Sequence, residues 1–73
     1  MDKEFVLQNA ANDITIYRKV KSIISNLGIS ADTKIYLKDN DLKLIVYNQH
    51  NIDNIKRALV ENKIRSTYAE IGD

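Results

Sequence analysis

The side chains that could do chemistry are spread thinly along this chain. Its one histidine, His50, is followed three residues later by Asp53, and such a pair is the start of a general-base arrangement. A nucleophile would have to complete that arrangement, and no serine or cysteine motif accompanies it. We therefore interpret His50 as an exposed turn residue or part of a helix cap, and we predict no catalytic residue and no enzymatic activity.

Acidic residues cluster at Asp39 and Asp41, on either side of Asn40. A helix–loop–helix calcium site needs about 12 residues and a closing bidentate glutamate, and no segment of that kind is present. The chain has no cysteine, which excludes disulfides, thiolate zinc sites and iron–sulfur ligation. We expect the acidic cluster to be a turn, and we predict neither a metal site nor a cofactor.

Some residues that could stabilise phosphate charge are far apart in the sequence. They are Arg18, Arg57, Arg65 and Tyr68. Small RNA-cleaving toxins can use residues of these types without a histidine pair, through electrostatic stabilisation. Because sequence spacing does not say whether the four converge, a small ribonuclease is the third functional hypothesis.

The strongest pattern lies in residues 33–48, where apolar and polar residues alternate around the acidic turn. Alternation with a period of two is typical of a half-buried β-hairpin, because successive side chains point to opposite faces. The inward face is predicted to carry Ile35, Leu37, Leu44 and Val46, and the outward face Lys34, Tyr36, Lys38, Lys43, Ile45 and Tyr47.

We place the hairpin turn at Asp39-Asn40, which sets Lys38 opposite Asp41. A turn at Asn40-Asp41 would set Lys38 opposite Lys43, and directly opposed like charges are unfavourable. Both registers leave the same side chains on each face, so the prediction of the two faces does not depend on this choice.

Helical periodicity surrounds the hairpin. Residues 13–27 carry Ile16, Val20, Ile23 and Leu27 on one face, with Asp13 or Asn12 as the N-cap and Gly28 as the end. A second helix is predicted over residues 51–62, with Asn51 as its cap. Residues 3–8 favour a short strand over a separate helical turn, and residues 64–71 predict a final strand.

These elements predict the order (β)αββαβ and an α+β fold. Sequences with this order can form an antiparallel sheet with two helices on one face, the ferredoxin-like arrangement. At 73 residues the chain is expected to be a single domain covering residues 1–73. No apolar run is long enough for a membrane span or a signal peptide, so we expect a cytoplasmic location and no membrane partner.

A domain this small is short of core, and without cysteine its remaining support is another chain. We therefore predict a non-enzymatic interaction domain that forms a homodimer, with Tyr36, Ile45 and Tyr47 as apolar anchors. The contact would be the outward hairpin face or a strand edge, for which residues 64–71 are a candidate. No small-molecule site is identified, and strand propensity by itself also places such residues on a solvated face.

The alternative is a nucleic-acid-binding regulator that uses Lys34, Lys38 and Lys43 beside the tyrosines. The RNA-recognition family uses this fold with aromatic residues on its two central strands. The segment L-K-L-I-V-Y-N lacks the glycine-and-aromatic pattern of that family. A formal charge of +1 also gives little counterion release on binding to phosphates.

Overall fold

The computed structural model describes residues 2–47 and 52–71, and within them the chain forms a four-stranded sheet and two helices. The strands are β1 (Asp2–Leu7), β2 (Ala31–Tyr36), β3 (Asp41–Val46) and β4 (Thr67–Ile71), and the helices are α1 (Ile14–Leu27) and α2 (Ile52–Glu61). The strand order is β2-β3-β1-β4, and all neighbours are antiparallel. The predicted α+β class and ferredoxin-like arrangement are confirmed.

The first residues form a strand, as the sequence predicts. Phe5 and Leu7 are buried two residues apart, so β1 turns one face into the core. This strand lies at the centre of the sheet, between β3 and β4.

The helix α1 begins and ends at the residues that the sequence indicates. Asp13 is its N-cap, and its Oδ1 accepts a hydrogen bond from the Ile16 N–H at 3.1 Å. Gly28 ends the helix with a φ of 63°, in the left-handed region. Val20 and Ile23 are buried and Ile16 packs against the core, as their spacing predicts, whereas Leu27 in the last turn is 38% exposed. Neither helix in the described part of the chain has the length and hydropathy needed to cross a bilayer.

The core lies between the two helices and one face of the sheet. It contains Phe5 and Leu7 of β1, Leu42, Leu44 and Val46 of β3, Val20 and Ile23 of α1, and Ile52, Ile55 and Leu59 of α2. Both helices therefore cover the same face, and the opposite face, called the open face below, has no helix of the described residues on it.

The register of the hairpin differs from the predicted one by two residues, so that Asp41 lies opposite Tyr36 and not opposite Lys38. Tyr36 lies opposite Asp41, so the loop is residues 37–40, and Lys38 and Leu37 belong to that loop and not to the strand. Asn40 adopts a φ of 59°, and its N–H donates to the Leu37 carbonyl at 3.2 Å. The Ala11 N–H donates to the Asn40 carbonyl at 3.2 Å, so a contact from outside the hairpin holds the longer loop.

The final strand is shorter than predicted, because Ile64 packs into the core at the end of α2 and does not belong to the strand. The Ile64 N–H donates to the Leu59 carbonyl at 2.9 Å at the end of α2, and its side chain is buried. Lys63 takes a φ of 59° to make this turn, and β4 begins at Thr67. The predicted cap at Asn51 lies outside the described residues.

Candidate interaction surfaces

The open face carries a mixture of charges. Strand pairing places Glu4 and Val6 of β1 on the same side as Lys43 and Ile45 of β3, and as Asp32, Lys34 and Tyr36 of β2. The prediction that the hairpin lysines and Tyr36 turn away from the helices is confirmed for Lys34, Lys43 and Tyr36, because a register shift of two residues preserves the faces.

Lys43 lies at the centre of the contacts on this face. Its Nζ is 3.2 Å from Oε1 of Glu4 and 4.4 Å from the centre of the Tyr36 ring. The hydrogen bond to Glu4 is the main reason why the pKa of Lys43 is raised above its ordinary value of 10.5. Lys34 lies directly opposite Lys43, and the contacts to Glu4 and Tyr36 offset the repulsion between the two lysines.

The three residues predicted as apolar anchors are in different environments. Ile45 has only 8% of its surface exposed, and its flanking partners on the same face are Glu4 and Asp32. The Tyr47 hydroxyl donates to Oδ2 of Asp32 at 2.9 Å. Tyr36 is 37% exposed. Of the three, Tyr36 is the most exposed.

The open face has no aromatic platform on its two central strands within the described residues. Its positions there include Glu4, Val6, Asp41, Lys43 and Ile45. Tyr36 belongs to the edge strand β2, and Tyr47 follows the end of β3, with its hydroxyl bonded to Asp32. Stacked bases need ring faces, which this arrangement does not supply at the centre of the sheet.

A second surface, which we call the β2 edge patch, consists of Ile14, Tyr17, Ile35 and Leu37. Ile14 is 58% exposed, Ile35 51% and Leu37 72%. Ile14, Tyr17 and Ile35 line a shallow hollow of about 210 Å³ beside the outer edge of β2. The sequence pattern placed Ile35 and Leu37 inside, because alternation gives the face of a residue and not whether a helix covers it.

A third surface is the groove between α2 and β4, which we call the α2–β4 groove. It has a volume of about 660 Å³ and is lined by Phe5, Lys56, Leu59, Val60, Lys63, Ile64, Arg65, Ser66 and Tyr68. Of the residues considered for ribonuclease activity, it brings together Arg65 and Tyr68, while Arg18 and Arg57 are not in its lining. Neither Lys56 on α2 nor Lys63 in the turn after it was singled out from the sequence, since exposed lysines in such positions carry no signal of their own.

No three potential metal ligands come together among the residues that the structure describes. Asp53 is exposed in the first turn of α2. Its suggested partner His50 lies outside the described residues.

Comparisons with known proteins give a fold and no family. No family model matches the chain, and no curated protein matches it. Among solved structures, the chain is similar to the NMR structure of a heavy metal binding protein from Thermotoga maritima, with a TM-score of 0.64 and 11% sequence identity. The match covers 94% of this chain and 98% of that one. At this level of identity, the likeness extends to the fold alone.

Proposed function

We propose that this chain is a small, non-enzymatic interaction domain that forms a homodimer by pairing the outer edges of two β2 strands. The observation that carries the proposal is the β2 edge patch, where Ile14, Ile35 and Leu37 are exposed beside an edge strand. Tyr36 belongs to the same strand and lies at the rim of the proposed contact. Its anchors are therefore centred on Ile35 and not on Ile45, which is almost covered within one copy.

The backbone of β2 supports pairing with another strand. The Ser30 carbonyl accepts the Tyr47 N–H at 2.9 Å, so Ser30 faces the β3 side. Because alternate residues of an antiparallel strand direct their backbone groups to opposite edges, Ala31, Thr33 and Ile35 face away from β3. Two copies of β2 that pair antiparallel about Thr33 would satisfy these groups in both chains.

The charges of β2 favour that same register. With Thr33 on the two-fold axis, Asp32 of each copy lies opposite Lys34 of the other. A slip of two residues in either direction would oppose Lys34 with Lys34 or Asp32 with Asp32. Opposite charges stabilise a cross-strand pair and like charges destabilise it, so the sequence is complementary to itself in one register.

Apolar burial would supply the rest of the affinity. In this register Ile35 lies opposite Ala31 of the other copy on the helix-covered side, where Ile14 and Tyr17 flank β2. Removing apolar surface from water contributes about 25 cal/mol per Å². A single strand edge with one small patch is below the roughly 1,200–2,000 Å² buried by stable complexes, so we expect a dissociation constant of about micromolar.

Sedimentation velocity over a range of concentrations tests this proposal. We expect the wild-type chain to shift from monomer to dimer near micromolar concentration, and Ile35→Asp to remain a monomer. Val60→Asp is the matched control, because Val60 is also an exposed aliphatic residue, 72% exposed, but lies on α2. A wild-type chain that stays monomeric at millimolar concentration would contradict the dimer.

The nucleic-acid alternative has less support from the open face. Lys34 and Lys43 share that face with Glu4, Asp32 and Asp41, and Lys43 is paired with Glu4. Lys38 lies in the hairpin loop and so is not part of the strand surface. A single-stranded nucleic acid would meet acidic groups beside each lysine, which weakens binding to phosphates.

The name of the similar Thermotoga maritima structure suggests metal binding, but this chain lacks the donors that soft metals prefer. Those metals select thiolate and thioether sulfur, and the sequence has no cysteine and a single methionine, Met1. We therefore do not extend metal binding to this chain.

A further inference from the structure

The α2–β4 groove has an apolar floor. Phe5, Leu59 and Ile64 form part of its lining and are nearly inaccessible to water in the described structure, while Val60 on its rim is 72% exposed. The Tyr68 ring packs on Phe5 with the ring centres 5.2 Å apart. A volume of about 660 Å³ is within the roughly 300–1,000 Å³ typical of ligand pockets, and it would hold one or two apolar side chains.

The rim of the groove is cationic. Among the residues that the structure describes, its lining contains Lys56, Lys63 and Arg65 and no acidic residue, although the whole chain has a formal charge of only +1. The Lys56 ammonium lies 4.3 Å above the centre of the Tyr68 ring, which holds one of the charges over the groove. The groove therefore complements a ligand that combines carboxylates with an apolar group.

The groove also runs beside an unpaired strand edge. Within the described sheet, β4 is the end strand, with β1 as its neighbour. In an antiparallel sheet, alternate residues of a strand direct their backbone N–H and C=O groups to opposite edges. The strand registers and the bond from the Tyr47 N–H to the Ser30 carbonyl fix this alternation for all four strands. On β4, the backbone groups of Tyr68 therefore point away from β1. A ligand with a peptide backbone can use these groups, whereas a fatty acid or another small amphipathic anion cannot.

We infer that the α2–β4 groove binds an acidic peptide segment of a partner protein, which adds to β4 as a further strand. One apolar side chain of the peptide would enter the groove above Phe5 and Ile64. Its carboxylates would pair with Lys63 and Arg65. This is the strand-addition mode of peptide recognition, in which the backbone gives affinity and the pocket gives specificity.

A second copy of this chain is a poorer occupant of the same site. Pairing β4 with β4 would bring two cationic rims together, each carrying Lys56, Lys63 and Arg65. Such like-charge juxtaposition disfavours association. The groove and the β2 edge patch are at opposite ends of the sheet, so a dimer formed through β2 leaves both grooves open.

Fluorescence anisotropy with a defined probe tests the inference. The probe is a fluorescein-labelled heptapeptide with leucine at its centre, glutamate two residues to either side and threonine elsewhere, so that the leucine and both glutamates face the groove. Its control carries lysine in place of the glutamates. We expect the wild-type chain to bind the glutamate peptide and not the lysine peptide. Arg65→Glu and Lys63→Glu should each weaken binding at least tenfold, while Lys19→Glu makes the same charge change on exposed α1 and should leave binding unchanged.

Two further experiments distinguish peptide binding from the binding of other amphipathic ligands. N-methylation of alternate amides of the glutamate peptide should abolish binding if the peptide pairs with β4. If the methylated peptide binds equally well and decanoate displaces it, the site is one for amphipathic anions and the inference is wrong. If Arg65→Glu leaves the affinity unchanged, the groove is not the binding site.

The test is independent of the dimer. Ile35→Asp should keep the peptide affinity of the wild type, because Ile35 is not in the groove. Peptide binding by a chain that is monomeric in sedimentation would contradict only the homodimer. A dimeric chain that binds no glutamate peptide would contradict only the groove.

Discussion

Lys43 of β3 and Glu4 of β1 form an ion pair across the two central strands, with 3.2 Å between Nζ and Oε1. The pair is diagonal, since the direct partners of Lys43 are Val6 on one side and Lys34 on the other. It gives the Lys43 ammonium an acceptor on β1, the strand on the side away from Lys34. The hairpin can therefore use a register that opposes two lysines.

Removing Glu4 should change how stability depends on alkaline pH. The pKa of Lys43 is raised in the folded state, so its pairing stabilises the fold fully below the unfolded-state pKa near 10.5. That stabilisation is lost as the pH rises through the higher folded-state pKa. We therefore expect urea unfolding midpoints to fall above pH 10.5 more steeply for the wild type than for Glu4→Gln.

Comparison with this variant cancels the contribution of every ionisable group that the two proteins share. At neutral pH we expect Glu4→Gln to lower the urea midpoint slightly, and we expect added salt to reduce the difference, because both side chains are partly exposed. Parallel pH profiles for the two proteins would show that Lys43 gains nothing from Glu4.

Exchanging the charges of β2 should distinguish the proposed dimer register from other contacts. Lys34→Asp would oppose two acidic residues across the two-fold axis, and Asp32→Lys would oppose two lysines, so each should weaken the dimer at least tenfold. The double variant, Asp32→Lys with Lys34→Asp, restores opposite charges and should recover much of the affinity in sedimentation equilibrium.

The recovery is expected to be incomplete, because Asp32→Lys removes the acceptor of the Tyr47 hydroxyl. Urea unfolding of each variant shows whether the monomer is still folded. If both single variants dimerise like the wild type, the contact is not made through β2 in this register.

The fold was predictable because its signals are local and periodic. Val20 and Ile23 share a helical face, Asp13 and Gly28 mark the ends of that helix, and Leu44 and Val46 alternate along a strand. Each of these patterns depends only on near neighbours in the chain. They suffice to give the element order, and the element order restricts the topology.

The hairpin register and the exposed surfaces depend on contacts distant in sequence. The loop is set partly by a hydrogen bond from Ala11 to Asn40, and the charge opposition of Lys34 and Lys43 is relieved by Glu4. The exposure of Ile35 depends on how far α1 extends over the edge strand. The α2–β4 groove joins residues from β1, α2 and β4, which no short pattern reveals.

Neighbouring residues of β3 should differ in how much they stabilise the fold. Leu44 is fully buried in the core, so Leu44→Ala should lower the free energy of unfolding by about 2–5 kcal/mol. Ile45 is also nearly covered, but it lies on the open face and outside the core cluster. We expect Ile45→Ala to lower the free energy of unfolding by less than Leu44→Ala, because polar neighbours and water can fill the space that the side chain leaves.

Chemical denaturation of both variants, monitored by circular dichroism, measures the two free energies. Below the dimer dissociation constant, the monomer is measured without a contribution from association. Equal losses for the two variants would mean that the open face is packed as tightly as the core.

Replacing Gly28 by L-alanine should lower the stability of the fold, and replacing it by D-alanine should raise it. Its φ of 63° is left-handed, and an L-configured Cβ placed on it would have no heavy atom within 4 Å apart from those of its chain neighbours. Gly28→Ala should therefore destabilise the chain by about 1 kcal/mol through backbone strain alone. A D-alanine at the same position, introduced by chemical synthesis, favours this conformation and should stabilise the chain by reducing the entropy of the unfolded state.

Thermal unfolding is measured for three synthetic proteins, with glycine, L-alanine or D-alanine at position 28. The two alanine forms have the same side-chain atoms and differ only in configuration. The melting temperature should rank D-alanine above glycine and glycine above L-alanine. If both alanines destabilise the chain, the methyl group of D-alanine, which points in a different direction from the L-configured Cβ, meets an obstacle at the end of α1. If neither changes the melting temperature, the left-handed turn is not required to stop α1 before Ile29, whose N–H donates to the Ile24 carbonyl at 3.3 Å.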